Sequence, residues 1–495
     1  MKRLIYVFLV LAGLSSCDDF LTEDLKGDYN STNILSNEEQ AQLAVNAIYN
    51  AAAYSINLWK FGDVASDDAV KGGNDGDQAE IGYIDDFTVQ SDNGVIAEFW
   101  QNTYETISRA NNVIDGIKNT PMDATKKEQM IAEAKFLRAY SYFQLVNIFG
   151  EVPLKLYPQN SDKNIYVGLS SVEGIYTQIE KDLTDAVVLP VSYAVTETGR
   201  ATRGAAYGLL AKAQLYQKKY GEALTSIQNL ESLNLYDLDS YENLFKLGNE
   251  NSIETIFAIC FLSNQVPTCS NALNQWLAPS IESGYFFDNP TQSWVDIFTE
   301  KQTDGSDDLR LDASIGRDGK TWLNDNTFSS SWSSTGYLVK KHNQPLTEVD
   351  AGRKGDGGLA YIYLRYADIL LMKAECLLRG ATATNGDTPA SLMNIVRRCS
   401  GAPDVTGTPT IQDLMDERLR ELIMEPWRRN DLIRNGMFEN DWAWKNGWYV
   451  DGVWHERVAA DGTPARDKTH RLLPIHRSLL EANPTWSQNP GYQGL

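Results

Sequence analysis

The chain has 495 residues, a formal net charge of −22 and an isoelectric point near 4.7. A surface that acidic repels phosphates and argues against nucleic-acid binding, while 12 Trp, 24 Tyr and 16 Phe exclude a disordered chain. The length suits one large domain or two or three smaller ones.

At the N-terminus, Lys2 and Arg3 precede an apolar run over residues 4–14. Such a run fits the core of an export signal and is too short to span a bilayer, which takes roughly 20 residues. It ends in Leu14-Ser15-Ser16-Cys17, small residues before a cysteine, the pattern of a bacterial lipobox. Residues 1–16 are therefore expected to be a lipoprotein signal, and Cys17 the acylated first residue of the mature chain. No later stretch is long and apolar enough to cross a membrane.

Helical periodicity then dominates. Over about residues 38–54, Leu43, Ala47, Ile48 and Ala51 recur at helical spacing, with Ser36 ahead of Glu39 as a capping box. Further helices are predicted over about 95–117, 126–148 and 171–188, the second of these stopping at Gly150 and Pro153. Residues 202–232 read as two helices joined at Lys218-Lys219. Tyr207, Leu210, Ala211, Tyr220, Ala223, Ile227 and Leu230 fall at tetratricopeptide positions, and Gln214 stands where an aromatic is usual. A second hairpin is predicted over 361–379 and 389–398.

Between the hairpins, about residues 233–360, Gly, Asn, Asp, Ser and Trp rise and the periodicity fades. This reads as a loop-rich insertion, with short strands over 255–261 and 337–340, and function concentrates on such loops. The C-terminal part, about 436–495, is irregular and Trp-rich. The fold class is thus mostly α: tetratricopeptide-like helical hairpins over about 36–232 and 361–435 as scaffold, a loop-rich insertion and an irregular C-terminal region.

Catalytic signatures are absent from the sequence. Neither G-x-S-x-G nor H-E-x-x-H occurs, and His342, His455, His470 and His476 have no triad spacing. Gly319-Lys320-Thr321 is no P-loop, because Ser314 stands where the first glycine belongs. Neither Asp75-Gly76-Asp77 nor residues 304–308 follow the calcium-loop ligand order, and both read as solvated turns. Cys260, Cys269, Cys376 and Cys399 form no C-x-x-C pair and are expected as free thiols, with 260–269 and 376–399 as the alternative bridges. Opposite charges interleave at helical spacing over 417–434, the pattern of an ion-pair network pinning the C-terminal segment rather than an anion clamp. The expectation is a binding protein with no catalytic residues, no metal and no cofactor.

Saccharide recognition needs flat apolar rings for the C–H face of a sugar and amides or carboxylates for its hydroxyls. The insertion supplies Trp276, Tyr285, Phe286, Trp322 and Trp332 beside Asn274, Asn289, Asn324 and Asp325; the N-terminal loop adds Asn74 and Asp75. Tyr285 is the leading candidate. Trp442, Trp444, Trp448 and Trp454 are expected to pack the tail.

Five segments carry a resemblance to a known family: AKFLRAYSYF at 134–143 through FGEVPL at 149–154; GRATRGAA at 199–206; LRYAD at 364–368; ELIMEPWRRNDLIR at 421–434; and LPI at 473–475 with NP at 483–484 and QNPGY at 488–492. In this order, after a lipobox, they resemble the SusD/RagB family of Bacteroidetes surface lipoproteins. The resemblance implies one domain over 17–495, a ligand surface built from loops, an oligosaccharide or polysaccharide ligand, and a SusC-like TonB-dependent barrel as partner. It also implies a lipid anchor in the outer membrane, and Asp18-Asp19 after Cys17 is similar to the acidic signal for the outer face. The family's starch binder places a stacking Trp in the loop after its first helix. Here residues 66–75 hold no aromatic, with Trp59 and Tyr83 lying to either side, which speaks against starch. A tetratricopeptide scaffold for proteins or peptides and a surface glycoside hydrolase are the alternative readings.

Overall fold

The computed structural model describes residues 35–493 except 266–268, 303, 350–354, 440–446, 451–452 and 457–467. Cys17, with the expected export signal, and Trp442 and Trp444 lie outside the described residues. The main helices, in chain order, are α1 (Glu38–Ala52), α2 (Gly94–Gly116), α3 (Ala124–Phe149), α4 (Val172–Asp185), α5 (Arg203–Tyr216), α6 (Tyr220–Glu231), α7 (Tyr366–Leu378), α8 (Pro389–Cys399), α9 (Ile411–Leu422) and α10 (Arg428–Arg434). They form the predicted scaffold, most of them packing on chain neighbours: α1 on α2, α2 on α3, α3 on α4, α5 on α6, α7 on α8, while α9 packs mainly on α7.

Local chemistry sets the boundaries. Asn37, not Ser36, caps α1, its side chain accepting from the Gln40 amide; Ser36 instead bonds the Gln40 side chain. Asn93, Asp123, Ser171 and Thr202 cap α2 to α5 in the same way. Thr388 and Ser391 make a reciprocal box at α8, with Pro389 in its first turn. In the α5–α6 hairpin Ala211 and Ala223 are fully buried, which lets the helices approach. Gln214 keeps its buried place because Ser226 donates to its Oε1 at 2.7 Å.

One predicted helix divides. Residues 361–365 form strand β4 (Tyr361–Arg365), pairing antiparallel with β2 (Thr255–Ile259), and α7 starts at Tyr366. All five β4 residues are buried, so neither face shows the alternation by which a strand is recognised. A second pair joins β1 (Ala69–Gly72) to β3 (Phe287–Pro290). The C-terminal region contains a hairpin of β5 (Gly447–Val450) and β6 (Val453–Glu456), with Trp448 on one strand and Trp454 on the other, where irregular chain was expected.

Distant motifs meet in the core. Arg365 reaches Glu254, Glu421 and Glu425 at 2.7, 2.6 and 2.8 Å. Arg310 reaches Glu417 and Glu421 at 2.7 and 2.9 Å. Asp368 accepts from Lys212 at 2.5 Å and Arg418 at 2.9 Å. All these side chains are almost fully buried, so the run over 417–434 is an internal ion-pair network. At the other end, Asn489 donates to the carbonyls of Phe149 and Leu473 at 2.8 and 2.7 Å, tying the C-terminal motif to the end of α3. The four cysteines of the described part are thiols, with no disulfide among them. Among the described residues no helix is long and apolar enough to cross a membrane.

Candidate functional site

The β1–β3 pair brings the N-terminal loop against the insertion. Val70 faces Asn289 and Gly72 faces Phe287 in register. Beyond the strands, the Gly73 amide donates to the Phe286 carbonyl at 2.9 Å, and Thr291 Oγ1 donates to the Asp67 carbonyl at 3.0 Å. Gly72 and Gly73 have φ of +70° and +69°, and a Cβ on Gly73 would lie 2.8 Å from the Phe287 ring. Only glycine turns the chain this closely over that ring. The turn ends in exposed Asn74 and Asp75, with Asn74 Nδ2 donating to Asp77 Oδ2 at 3.0 Å. Residues 304–307 likewise form a turn toward solvent, Asp304 accepting from the Ser306 amide and hydroxyl, whereas Asp308 is buried and pairs with Arg310 at 2.7 Å, so the expected solvated turn stops short of it. No group of His, Cys, Asp and Glu that could hold a metal ion occurs among the described residues.

Beside the turn lies an aromatic stack. Trp276 meets Tyr285 at 5.7 Å and Phe287 at 5.3 Å between ring centres, and Trp59 at 6.0 Å. Edge-to-face contacts of this kind hold the rings rigid. Lys60 projects its ammonium over Trp276 and Trp59, at 5.3 and 5.6 Å. Burial lowers its pKa below the usual lysine range, and Glu98 offsets part of that shift. Lys71 lies over Phe287 while its Nζ donates to the Asp77 carbonyl at 2.7 Å. Tyr285 is the ring that reaches solvent, 45% exposed, its hydroxyl accepting from Gln275 Nε2 at 2.9 Å.

The segment that presents Tyr285 is strained. Ser283, Phe286 and Asp288 have φ of +63°, +43° and +58°, a region L-residues rarely adopt. Such strain persists where surrounding contacts impose it, and it clusters at functional sites. Here the Tyr285 amide donates to the Gln275 carbonyl at 2.8 Å and the Phe286 amide to the Ala278 carbonyl at 2.9 Å.

Tyr285 and Trp276 thus meet, and Asn74 and Asp75 stand on the turn that follows β1, the strand paired with β3. Phe286 packs the other way, onto a small core of Trp322, Phe328 and Leu338. Trp322 offers no stacking face: it is 2% exposed and its indole N–H donates to Glu282 at 3.0 Å. Trp332 borders that core, 5.1 Å from Phe328, and is half-buried. Asn289 and Asn274 are structural, accepting from the Ser334 and Gln344 amides at 3.1 Å each. Trp59, Lys60 and Phe287 are members of the face that no sequence pattern singles out. They sit next to acidic loops at 63–68 and 288 with no periodicity to mark a shared face, and only the strand pairing brings them together.

Beneath the strands lies Asp63, buried, with neither carboxyl oxygen hydrogen-bonded. Burial first, then the Asp288 and Asp68 carboxylates, push its pKa well above the usual range.

A family model described as the SusD family matches residues 253–492, and a second, described as starch-binding associating with outer membrane, matches residues 19–215. The chain is 26% identical over 274 residues to SusD-like protein P25 of Formosa agariphila, covering 52% of this chain and about half, 51%, of that protein. It is 24% identical over 432 residues to the starch-binding protein SusD of Bacteroides thetaiotaomicron, covering 73% of this chain and 72% of that one. The solved structure of a laminarin-binding SusD-like protein superposes with a TM-score of 0.77 at 27% identity, over 92% of this chain and 100% of that one.

Proposed function

Because the chain belongs to the SusD family, we propose that it is a cell-surface lipoprotein that captures glycan chains and hands them to a SusC-like TonB-dependent barrel, without cleaving them. Cys17 is the anchor in this reading, and the outer face of the outer membrane is the site of action. The observation that carries glycan capture is the half-exposed Tyr285 ring, held on a strained segment over Trp276, with exposed Asn74 and Asp75 on the turn after the paired strand β1. A rigid ring flanked by amides and carboxylates is suited to a sugar's C–H face and hydroxyls. Family models and relatives described by starch and laminarin support a glycan as the ligand class.

The test is calorimetric titration with laminarin and with starch, followed by single substitutions against whichever binds. Tyr285→Ala should weaken binding about 30-fold, the equivalent of about 2 kcal/mol for a central aromatic contact, with unchanged circular dichroism. Trp322→Ala should lower thermal stability instead. Undiminished binding by Tyr285→Ala would sink the site assignment, and sugar release from either polymer would sink the non-catalytic reading.

A further inference from the structure

A second cavity, of about 450 Å³, lies along α2 where segment 153–167 and the turn at 476–479 close over it. That volume is within the range of small-molecule sites, about 300–1,000 Å³. It contains none of the residues of the Tyr285 face. Trp100 and Tyr104, one helical turn apart, form its apolar wall with ring centres 5.2 Å apart. Trp100 is backed by Phe149 at 5.1 Å, and the Tyr104 hydroxyl donates to the Pro153 carbonyl at 2.7 Å, so neither ring is free to turn. Tyr157 stands on the opposite lip, 42% exposed, and Gln101 and Gln159 supply amides.

Like Lys60 on the Tyr285 face, a lysine inside this cavity stands without a carboxylate ion pair among the described residues. Three lysines sunk fully into the core each have a carboxylate partner: Lys212 with Asp368 at 2.5 Å, Lys341 with Glu425 at 2.5 Å, Lys373 with Glu231 at 2.7 Å. Lys155 is half-buried in the wall of this cavity, its ammonium 5.7 Å from the Tyr104 ring centre, and it has no carboxylate partner among the described residues. Its position is fixed from behind. The Lys155 amide donates to the Tyr142 hydroxyl at 2.7 Å, and its carbonyl accepts from Asn111 Nδ2 at 3.0 Å. Outside the lining, exposed Lys163 stands over the Tyr157 ring, 4.3 Å from its centre. The carboxylate that lines the cavity, Glu105, is taken by Arg109 at 2.8 Å. In a chain of net charge −22, this is an aromatic-walled groove rimmed by amides, with one lysine inside that no carboxylate of the described residues pairs.

We propose that this groove is a second saccharide site, which takes a short run of sugar rings carrying a carboxylate or sulfate, with Lys155 as the counter-charge and Tyr157 as the stacking ring. It stands on different residues from the Tyr285 face and does not require that face to bind. The wider acidic surface makes non-specific capture of a polyanion unfavourable, so binding of one reports the groove.

The experiment uses the full chain carrying Tyr285→Ala and Trp276→Ala, which silences the first face. Titration with a heparin-derived hexasaccharide, bearing both uronate and sulfate, is compared with neutral laminarihexaose. The acidic probe should bind this variant as it binds the parent, and at least tenfold more tightly than the neutral one. Adding Lys155→Met or Tyr157→Ala should weaken it at least tenfold, and Lys155→Arg should retain it, with the circular dichroism spectrum unchanged throughout. No binding of the acidic probe to the parent, equal binding of the neutral probe, or indifference to both Lys155→Met and Tyr157→Ala would each overturn the proposal. Loss of laminarin binding by Tyr285→Ala alone bears only on the first face.

Discussion

Asp63 and Glu425 are both buried, and their pKa values move in opposite directions. Burial alone would raise Glu425, but Arg365 and Lys341 beside it outweigh that and hold it at about 2. A depressed carboxyl contributes stability above its unfolded pKa, near 4.3, and that contribution is lost as pH falls toward 2. Glu425→Gln should therefore cost about 3–5 kcal/mol at pH 7, because it leaves Arg365 and Lys341 short of charge in the core. The deficit should shrink in denaturant titrations as pH falls below about 4. Asp63 has the reverse sign: its raised folded pKa makes the native state bind the extra proton, so its contribution falls as pH rises above the unfolded value near 3.9. Asp63→Asn should then gain on the parent as pH is raised from about 4 to about 8, by about 1.4 kcal/mol for each step of one in pH until the carboxyl ionises in the fold. A constant difference across that range would show Asp63 charged in the fold. The ion pairs of residues 417–434 were legible from interleaved charges. Asp63 was not, since one aspartate among 66 acidic residues has no sequence mark of burial.

At the level of elements, helices declared themselves through periodicity and caps, and their ends fall within a few residues of expectation. The strands were harder. β4 is buried throughout and continues into α7 without a turn residue, so its apolar run read as the first turn of a helix. β1 is four residues long and its partner is distant in sequence, which leaves no local pattern to read. Loop geometry was the least legible, and it decides the site: Tyr285 could be named from its neighbours, but Trp322, of the same composition class, is buried. The turn that carries Tyr285 offers a direct check. A Cβ on Gly284 would meet the Ala278 carbonyl oxygen at 2.1 Å, backbone against backbone. Gly284→Ala should displace the segment and weaken glycan binding at least tenfold, while the melting temperature, set by the helical scaffold, falls by only about a degree, the equivalent of about 1 kcal/mol for a domain of this size. A large loss of stability with unchanged affinity would mean the turn serves packing alone.

For the molecule as a whole, anchoring and docking are the quantities to measure. Cys17→Ala should move the protein from the membrane fraction to the soluble one, and persistence with outer membranes would remove the lipobox reading. Affinity purification in mild detergent should recover a β-barrel partner across an interface above about 1,000 Å²; recovery of the protein alone would speak against the proposed barrel partner. The strand pair that builds the Tyr285 face also sets a clock. Thr291 bonds to Asp67 across 224 residues of chain. At synthesis rates of about 5–20 residues per second, the second half of that face emerges some 10–45 s after the first. Trp59 must wait through that interval without Trp276 and Phe287, whereas the α2–α3 and α5–α6 hairpins need only local sequence. In refolding from denaturant, recovery of helical signal should therefore run ahead of recovery of glycan binding, and a nascent chain halted before residue 287 should be helical but unable to hold a sugar.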